Sequence, residues 1–314
     1  MRGFRRLTGT VISFTFILIV LGAVVRSTGS GLACPDWPQC YGLWLPTPES
    51  LAGLGGVDFS YGQVMLEWTH RLIAGVIVGP LVLWLVIWSF KLRHESGVLP
   101  VMMIFALLLV LVQAGLGGLT VLRGNIPWSV AIHLSVALVF LSILIFVFLS
   151  SERQSGIGWS VDYVGTSARI LAGMALAVAL ITISSGAITA KSGASFACES
   201  WPLCDAFQWP DLSDWLVRVH MGHRVFALSV VVFIILLYLT GVRNRREAPR
   251  FYKDVRMAFF LTIGEVGLGA LVVFTGVPLW GAVIHQAFGA LLFAVLTTAF
   301  LRPFVKQRSR FGND

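Results

Sequence analysis

Charge is what this chain has least of. Asp, Glu, Lys and Arg make up 12% of its 314 residues, where a soluble domain carries roughly 25%, while 57% of the residues are hydrophobic and the mean hydropathy is +0.84. That balance excludes a water-soluble globular protein and leaves a polytopic membrane protein. The pI of about 9.8 comes with no soluble basic domain, which excludes nucleic-acid binding as its explanation. Cysteine is scarce as well, four in all.

What is present in quantity is long apolar runs. Stretches able to cross a hydrocarbon layer of roughly 30 Å lie near 8–26, 69–90, 99–121, 128–150, 168–188, 219–241, 257–275 and 279–301. The expected fold is therefore an all-α integral membrane protein with eight transmembrane helices. If the N-terminus, the loops after spans 2, 4 and 6 and the C-terminus share one side, that side holds 17 of 23 cations, which makes it cytoplasmic. The long loops 27–66 and 189–218 then face outward. Arg2, Arg5 and Arg6 ahead of the first apolar run imitate a cleavable signal, but an internal repeat gives span 1 a partner and so places it in the mature fold.

The repeat is read directly. Shifting the chain by about 152 residues lays His223-Arg224 on His70-Arg71 and Trp280-x4-His285 on Trp128-x4-His133. Cys34-x2-Trp37-Pro38-x-Cys40 matches Cys198-x2-Trp201-Pro202-x-Cys204 at an offset of 164, as Gly22 and Gly29 match Gly186 and Gly193. Gly115-Leu116-Gly117-Gly118-Leu119 matches Gly267-Leu268-Gly269-Ala270-Leu271, and these glycines read as close-packing positions between helices. Two tandem four-helix bundles follow, 1–152 and 153–314. Four spans per half return the chain to its starting side, so the halves are expected to be related by a pseudo-two-fold axis along the membrane normal.

Each half carries one histidine at the outer end of its second span and one at the outer end of its fourth, His70 with His133 and His223 with His285. A lone intramembrane histidine usually makes a helix–helix hydrogen bond; four at repeated positions point to ligation, because ionisable groups in a bilayer are costly. Zinc needs three or four protein ligands and each pocket offers two. Haem iron needs two axial ligands, and with no Cys-x-x-Cys-His in the chain any haem is held without thioether links. His94 falls in a cytoplasmic loop; His220, one turn before His223, is an alternative ligand disfavoured by the repeat register. Arg71 and Arg224 are candidates to pair with haem propionates or to snorkel to the interface.

All four cysteines lie in outward loops, so two local disulfides are expected, Cys34–Cys40 and Cys198–Cys204. They either staple the Trp-Pro turns or, for the first pair, serve a redox role. The repeat breaks at Glu67, three residues before His70, whose counterpart is His220. Glu67 shares a helix face with His70 and reads either as a catalytic carboxylate or as an interfacial anchor. A second intramembrane acid, Glu265, stands where the first half has Gln113, and its simplest role is a hydrogen bond to a neighbouring helix.

The combination of the Cys34-Pro-Asp-Trp-Pro-x-Cys40 loop, Glu67-Trp-Thr-His70-Arg71, His133, His223-Arg224 and His285 on eight spans resembles the heme A synthase family over almost the whole chain. The resemblance implies an oxidoreductase that converts a ring methyl of haem O to a formyl group, through an alcohol and an aldehyde hydrate. It implies non-covalent haem b on His223 and His285, substrate haem O at His70 and His133, and a catalytic Glu67. It also implies a bacterial plasma membrane, haem O reaching the site from lipid or from haem O synthase, and an electron acceptor such as a quinone. A homo-oligomer is compatible with it. Two rivals remain open from the residues alone: a di-haem electron carrier and a haem transporter or chaperone.

Overall fold

The computed structural model describes residues 1–55, 57–154, 164–205 and 208–305. Eight long helices account for most of it: α1 (Arg2–Ser27), α2 (Tyr61–Lys91), α3 (Val98–Leu122), α4 (Pro127–Gln154), α5 (Thr166–Lys191), α6 (Trp215–Arg243), α7 (Pro249–Phe274) and α8 (Leu279–Leu301). Each is long and apolar enough to cross a membrane, and the chain is a multi-pass, all-α membrane protein. Among the described residues there is no strand beyond two isolated bridges, Cys40 with Leu43 and Asp205 with Gln208. Of the cations used to orient the chain, Lys306, Arg308 and Arg310 lie outside the described residues.

The helices outrun the apolar runs, most of all at α2, which starts at Tyr61 rather than near 69. The cause is a capping box: Ser60 Oγ accepts from the Gln63 backbone N–H at 3.3 Å while Gln63 Oε1 accepts from that of Ser60 at 3.1 Å. Two orphan donors are thereby satisfied, and polar turns can continue the helix into the interface. Hydropathy marks the apolar slab, not the hydrogen-bonded helix, so Glu67 and His70 sit inside α2 instead of at its edge. At α7, Pro249 occupies the first turn, where a missing N–H costs nothing.

One interruption is specific to the first half. Ile73–Val78 of α2 form a π-helical turn, with the Gly79 N–H donating to the carbonyl of Ala74, five residues back. Pro80 follows; it has no N–H and its ring crowds the carbonyl of the preceding turn, and a widened turn relieves both. At the matching register α6 has Phe233, and it runs unbroken.

Each half closes into a ring. In the first, α1 packs on α2, α2 on α3, α3 on α4 and α4 on α1; the second repeats this with α5 to α8. The second and fourth helices of each ring, which bear the histidines, are thus diagonal. The halves meet through α4 on α5, α1 on α8, and α4 on α8. The joint is dense because α5 presents a stripe of small buried residues, Ala168, Ala172, Ala175 and Ala179, to Leu138 and Leu141 of α4 and Phe293 and Leu296 of α8 in one core. Small residues let helix backbones approach closely where hydrophobicity drives nothing. Ser135 and Ser184 hydroxyls, 2.7 Å apart, bridge α4 to α5. A second core, with Phe4, Val11, Val82, Leu85, Leu99, Met103 and Leu144, fills the inner end of the first ring. The histidines lie toward the other end, beside the cysteine loops.

Candidate functional site

The two cysteine loops are tied down by the arginines that follow the α2 and α6 histidines. Arg71 Nη1 donates to the carbonyls of Asp36, at 2.6 Å, and Gln39, and its Nη2 to the carbonyl of Cys34 at 3.1 Å. Arg224 Nη1 repeats the pattern on Ser200, Pro202 and Leu203, at 2.9 to 3.0 Å. A planar guanidinium suits a fan of carbonyls as a lysine would not. Both terminal nitrogens of Arg71 and Nη1 of Arg224 are engaged this way on the cysteine loops, while Arg224 Nη2 faces His220. The loops carry two disulfides, Cys34–Cys40 and Cys198–Cys204. Trp37 of the first lies on Gly118 of α3, where an added Cβ would come within 3.0 Å of its ring.

At the break in the repeat, Glu67 Oε1 accepts from Arg71 Nη2 at 2.7 Å and Oε2 from the Cys34 backbone N–H at 2.9 Å. Its side chain is buried, at 6% exposure. In the second half His220 Nε2 meets Arg224 Nη2 at 3.1 Å, and no contact to the Cys198 N–H accompanies it among the described bonds. The carboxylate thus does something its counterpart does not: it joins the arginine to the backbone of a disulfide cysteine. Charge-assisted bonds of this kind are short and fix geometry.

Behind each histidine stands a glycine of the neighbouring helix. A Cβ on Gly22 of α1 would meet His70 Nε2 at 3.6 Å, and on Gly186 of α5 it would meet His223 Cε1 at 3.0 Å. On Gly117 of α3 and Gly269 of α7 it would meet Cε1 of His133 and His285, at 3.5 and 3.2 Å. The glycines recur at all four positions, and in the second half, at Gly186 and Gly269, the missing Cβ is what gives the imidazole its room. The sequence marked them as packing positions; that what they pack against is histidine is legible only once the helices are placed.

His223 and His285 come together, their ring centres 6.5 Å apart and their planes at 84°. Two imidazoles on opposite sides of one metal ion, each with a bond of about 2 Å and about 1 Å more to the ring centre, stand about 6 Å apart. The observed spacing suits a shared ion. His223 Nδ1 is occupied by Ser185 Oγ at 3.0 Å and the Thr182 carbonyl at 3.2 Å. Donation to a carbonyl fixes the tautomer that leaves Nε2 as the ligand nitrogen. Nδ1 of His133 and of His285 are buried without a formed bond. All four histidines are partly buried. No group of three or more His, Cys, Asp or Glu side chains suited to a metal ion exists among the described residues. The donor set in the second half, two facing imidazoles with His223 Nδ1 held by its own partners, fits haem iron. His94 is exposed beyond α2.

Eight spanning helices in two rings, with histidines at equivalent places in each, define a multi-pass integral membrane protein. Residues 5–297 match the model of the COX15-CtaA family, described as cytochrome oxidase assembly protein, and the chain belongs to that family. It is 30% identical over 309 residues to the protein named heme A synthase in Geobacillus kaustophilus (strain HTA426), covering 96% of this chain and 92% of that one. With the heme A synthase of Geobacillus thermodenitrificans it shares 29% over 307 residues, 95% and 90% of the two chains. That of Bacillus cereus (strain G9842) is 29% identical over 301 residues, 94% and 92%.

Proposed function

We propose that this chain is a heme A synthase, an oxidoreductase that turns a ring methyl of haem O into a formyl group, with the two halves doing different work. In the half 153–314, His223 and His285 hold a non-covalent haem b; in the half 1–152, His70 and His133 receive haem O. The observation that carries the reading is the 6.5 Å separation of the His223 and His285 rings, in a chain of this family. The exchange of α1 to α4 with α5 to α8 leaves the pattern of contacts between halves unchanged, which supports a pseudo-two-fold axis along the membrane normal.

Counted with oxygen as water, a methyl plus one water gives a formyl group, four protons and four electrons. Haem b, when bound, supplies a one-electron redox centre close to the substrate. The side chains of this chain do the rest. His70 and His133 set where the ring lies; Arg71 and Glu67 hold the Cys34 loop beside it. Glu67, one helical turn before His70, takes a proton from the methyl or its alcohol, or steadies positive charge at the ring-attached carbon. Haem O arrives laterally from lipid or from haem O synthase, and electrons leave to an acceptor such as a quinone. The chain sits in a bacterial plasma membrane with both termini cytoplasmic and the cysteine loops outside, alone or as a homo-oligomer.

The test is pigment extraction from the purified chain with mass identification of the porphyrins. Haem b together with haem O, haem A or an oxygenated intermediate is expected; haem b alone at both sites means an electron carrier instead. Glu67→Gln keeps the size of the side chain and the Cys34 contact. It is expected to retain both pigments while conversion of haem O falls by about 10²-fold or more. Undiminished conversion in a haem-loaded Glu67→Gln chain sinks the catalytic role and leaves Glu67 as an anchor of the loop.

A further inference from the structure

The halves differ at one more place that faces a histidine. Glu265 of α7 puts Oε1 3.2 Å from His285 Nδ1. The pair is not aligned as a formed hydrogen bond, and Oε2 is buried without a partner. An acid in the middle of a spanning helix is costly to keep, and this one has a notch made for it. Gly289, four residues after His285 on α8, leaves the space that a Cβ would take within 2.9 Å of Glu265 Oε1. The first half lacks both members: the matching positions are Gln113 and Ala137. There the Gln113 amide donates to the His133 backbone carbonyl at 3.0 Å, and His133 Nδ1 and Gln113 Oε1 are left without partners. Acid with glycine on one side and amide with alanine on the other is a paired difference, as one contact would require.

We infer that Glu265 is a positioning residue for the axial ligand His285: its carboxylate accepts the Nδ1–H, fixes the tautomer that presents Nε2 to iron, and makes this imidazole a stronger electron donor than His133. The inference rests on haem b at His223 and His285. Metal-bound histidines commonly give their second N–H to a carboxylate, which raises their basicity, and a more basic axial ligand favours ferric over ferrous iron. The resident haem then has the lower potential of the two sites.

The experiment is a spectroelectrochemical titration of the detergent-solubilised full chain, Glu265→Gln alone and with Gly289→Ala, which together copy the first half. The haem b potential is expected to rise enough to change the ferrous-to-ferric ratio at fixed potential tenfold, 59 mV for one electron. A bound haem whose potential does not move overturns the inference. In case these variants bind no haem, His285→Gly is loaded with haem and either imidazole or 1-methylimidazole, which has no second N–H. Imidazole should give the lower potential, and equal potentials overturn the inference too. If His223→Ala and His285→Ala keep the bis-imidazole spectrum of the unaltered chain, the haem b assignment itself fails, whatever Glu265 does.

Discussion

Replacing Gly186 by alanine puts a methyl group 3.0 Å from Cε1 and 3.4 Å from Nδ1 of His223, closer than the ring can accept without moving. The ring has little room to retreat, because Nδ1 is bound by Ser185 Oγ and the Thr182 carbonyl on the same helix as the new methyl, and in the loaded protein its far side faces iron. Overpacking of this kind costs about 1–3 kcal/mol, and it falls mainly on the haem-bound state, where His223 is held from both sides. At 1.4 kcal/mol per decade that is about a 5- to 150-fold loss of haem affinity. The control is built into the repeat: Gly22→Ala would bring its methyl to 3.6 Å of His70, ordinary van der Waals contact. Both changes gain about 1 kcal/mol of helix propensity, so the haem-free Gly22→Ala chain should hold or rise in thermal stability, while in Gly186→Ala the gain offsets only part of the overpacking. The assay is the rate at which purified protein loses haem b to excess apomyoglobin, faster for Gly186→Ala and unchanged for Gly22→Ala. Equal rates in the two variants would refute the argument that the α5 glycine exists to seat the His223 ring.

Three other outcomes follow from the same contacts. Arg71→Lys replaces a fork that reaches Cys34, Asp36, Gln39 and Glu67 by a single ammonium, so alkylation after a mild thiol pulse should trap Cys34 and Cys40 roughly tenfold faster, with Cys198 and Cys204 unaffected; unchanged trapping removes the clamp. Arg224→Lys should show the reverse selectivity, since its acceptors are Ser200, Pro202 and Leu203. Ser185→Ala leaves His223 Nδ1 its Thr182 carbonyl, so haem b affinity should fall by about 10-fold, at the low end for outer partners of metal ligands, and a 100-fold fall would mean that the hydroxyl, not the carbonyl, orients the ring.

The eight spans were legible because each is a continuous apolar run, which survives without coordinates. What stayed hidden depends on which helices touch. Gly22, Gly117, Gly186 and Gly269 read as generic close-packing residues until α1, α3, α5 and α7 were placed beside the histidine helices. Arg71 and Arg224 were visible as cations at the membrane edge, but their acceptors are backbone carbonyls, which no side-chain pattern announces. The early start of α2 was missed because hydropathy tracks the slab whereas the Ser60–Gln63 capping box sets the helix. The π turn after His70 had one sequence signal, Pro80 inside an apolar run, absent from the second half.

Several departures from the repeat stand beside the histidines. Glu67 opposite His220 and the π turn opposite regular helix flank His70, within about two turns on α2 and α6; Gln113 and Ala137 opposite Glu265 and Gly289 flank His133 and His285. The cysteine loops, the arginine clamps and the glycines behind the rings stay the same in both halves. If the two pockets held the same molecule for the same purpose, changes would be expected to accumulate where they matter least, on the lipid-facing surface, and the surroundings of the ligands would stay alike. Here the disulfides, the arginines and the glycines beside the histidines are kept, while Glu67 and Glu265 have no acidic counterpart in the other half. An acid with backbone and arginine partners beside one pair, and an acid against Nδ1 of a ligand in the other, give the two sites different electrostatics within the same geometry. That is the arrangement required if one haem is to be worked on and the other is to remain.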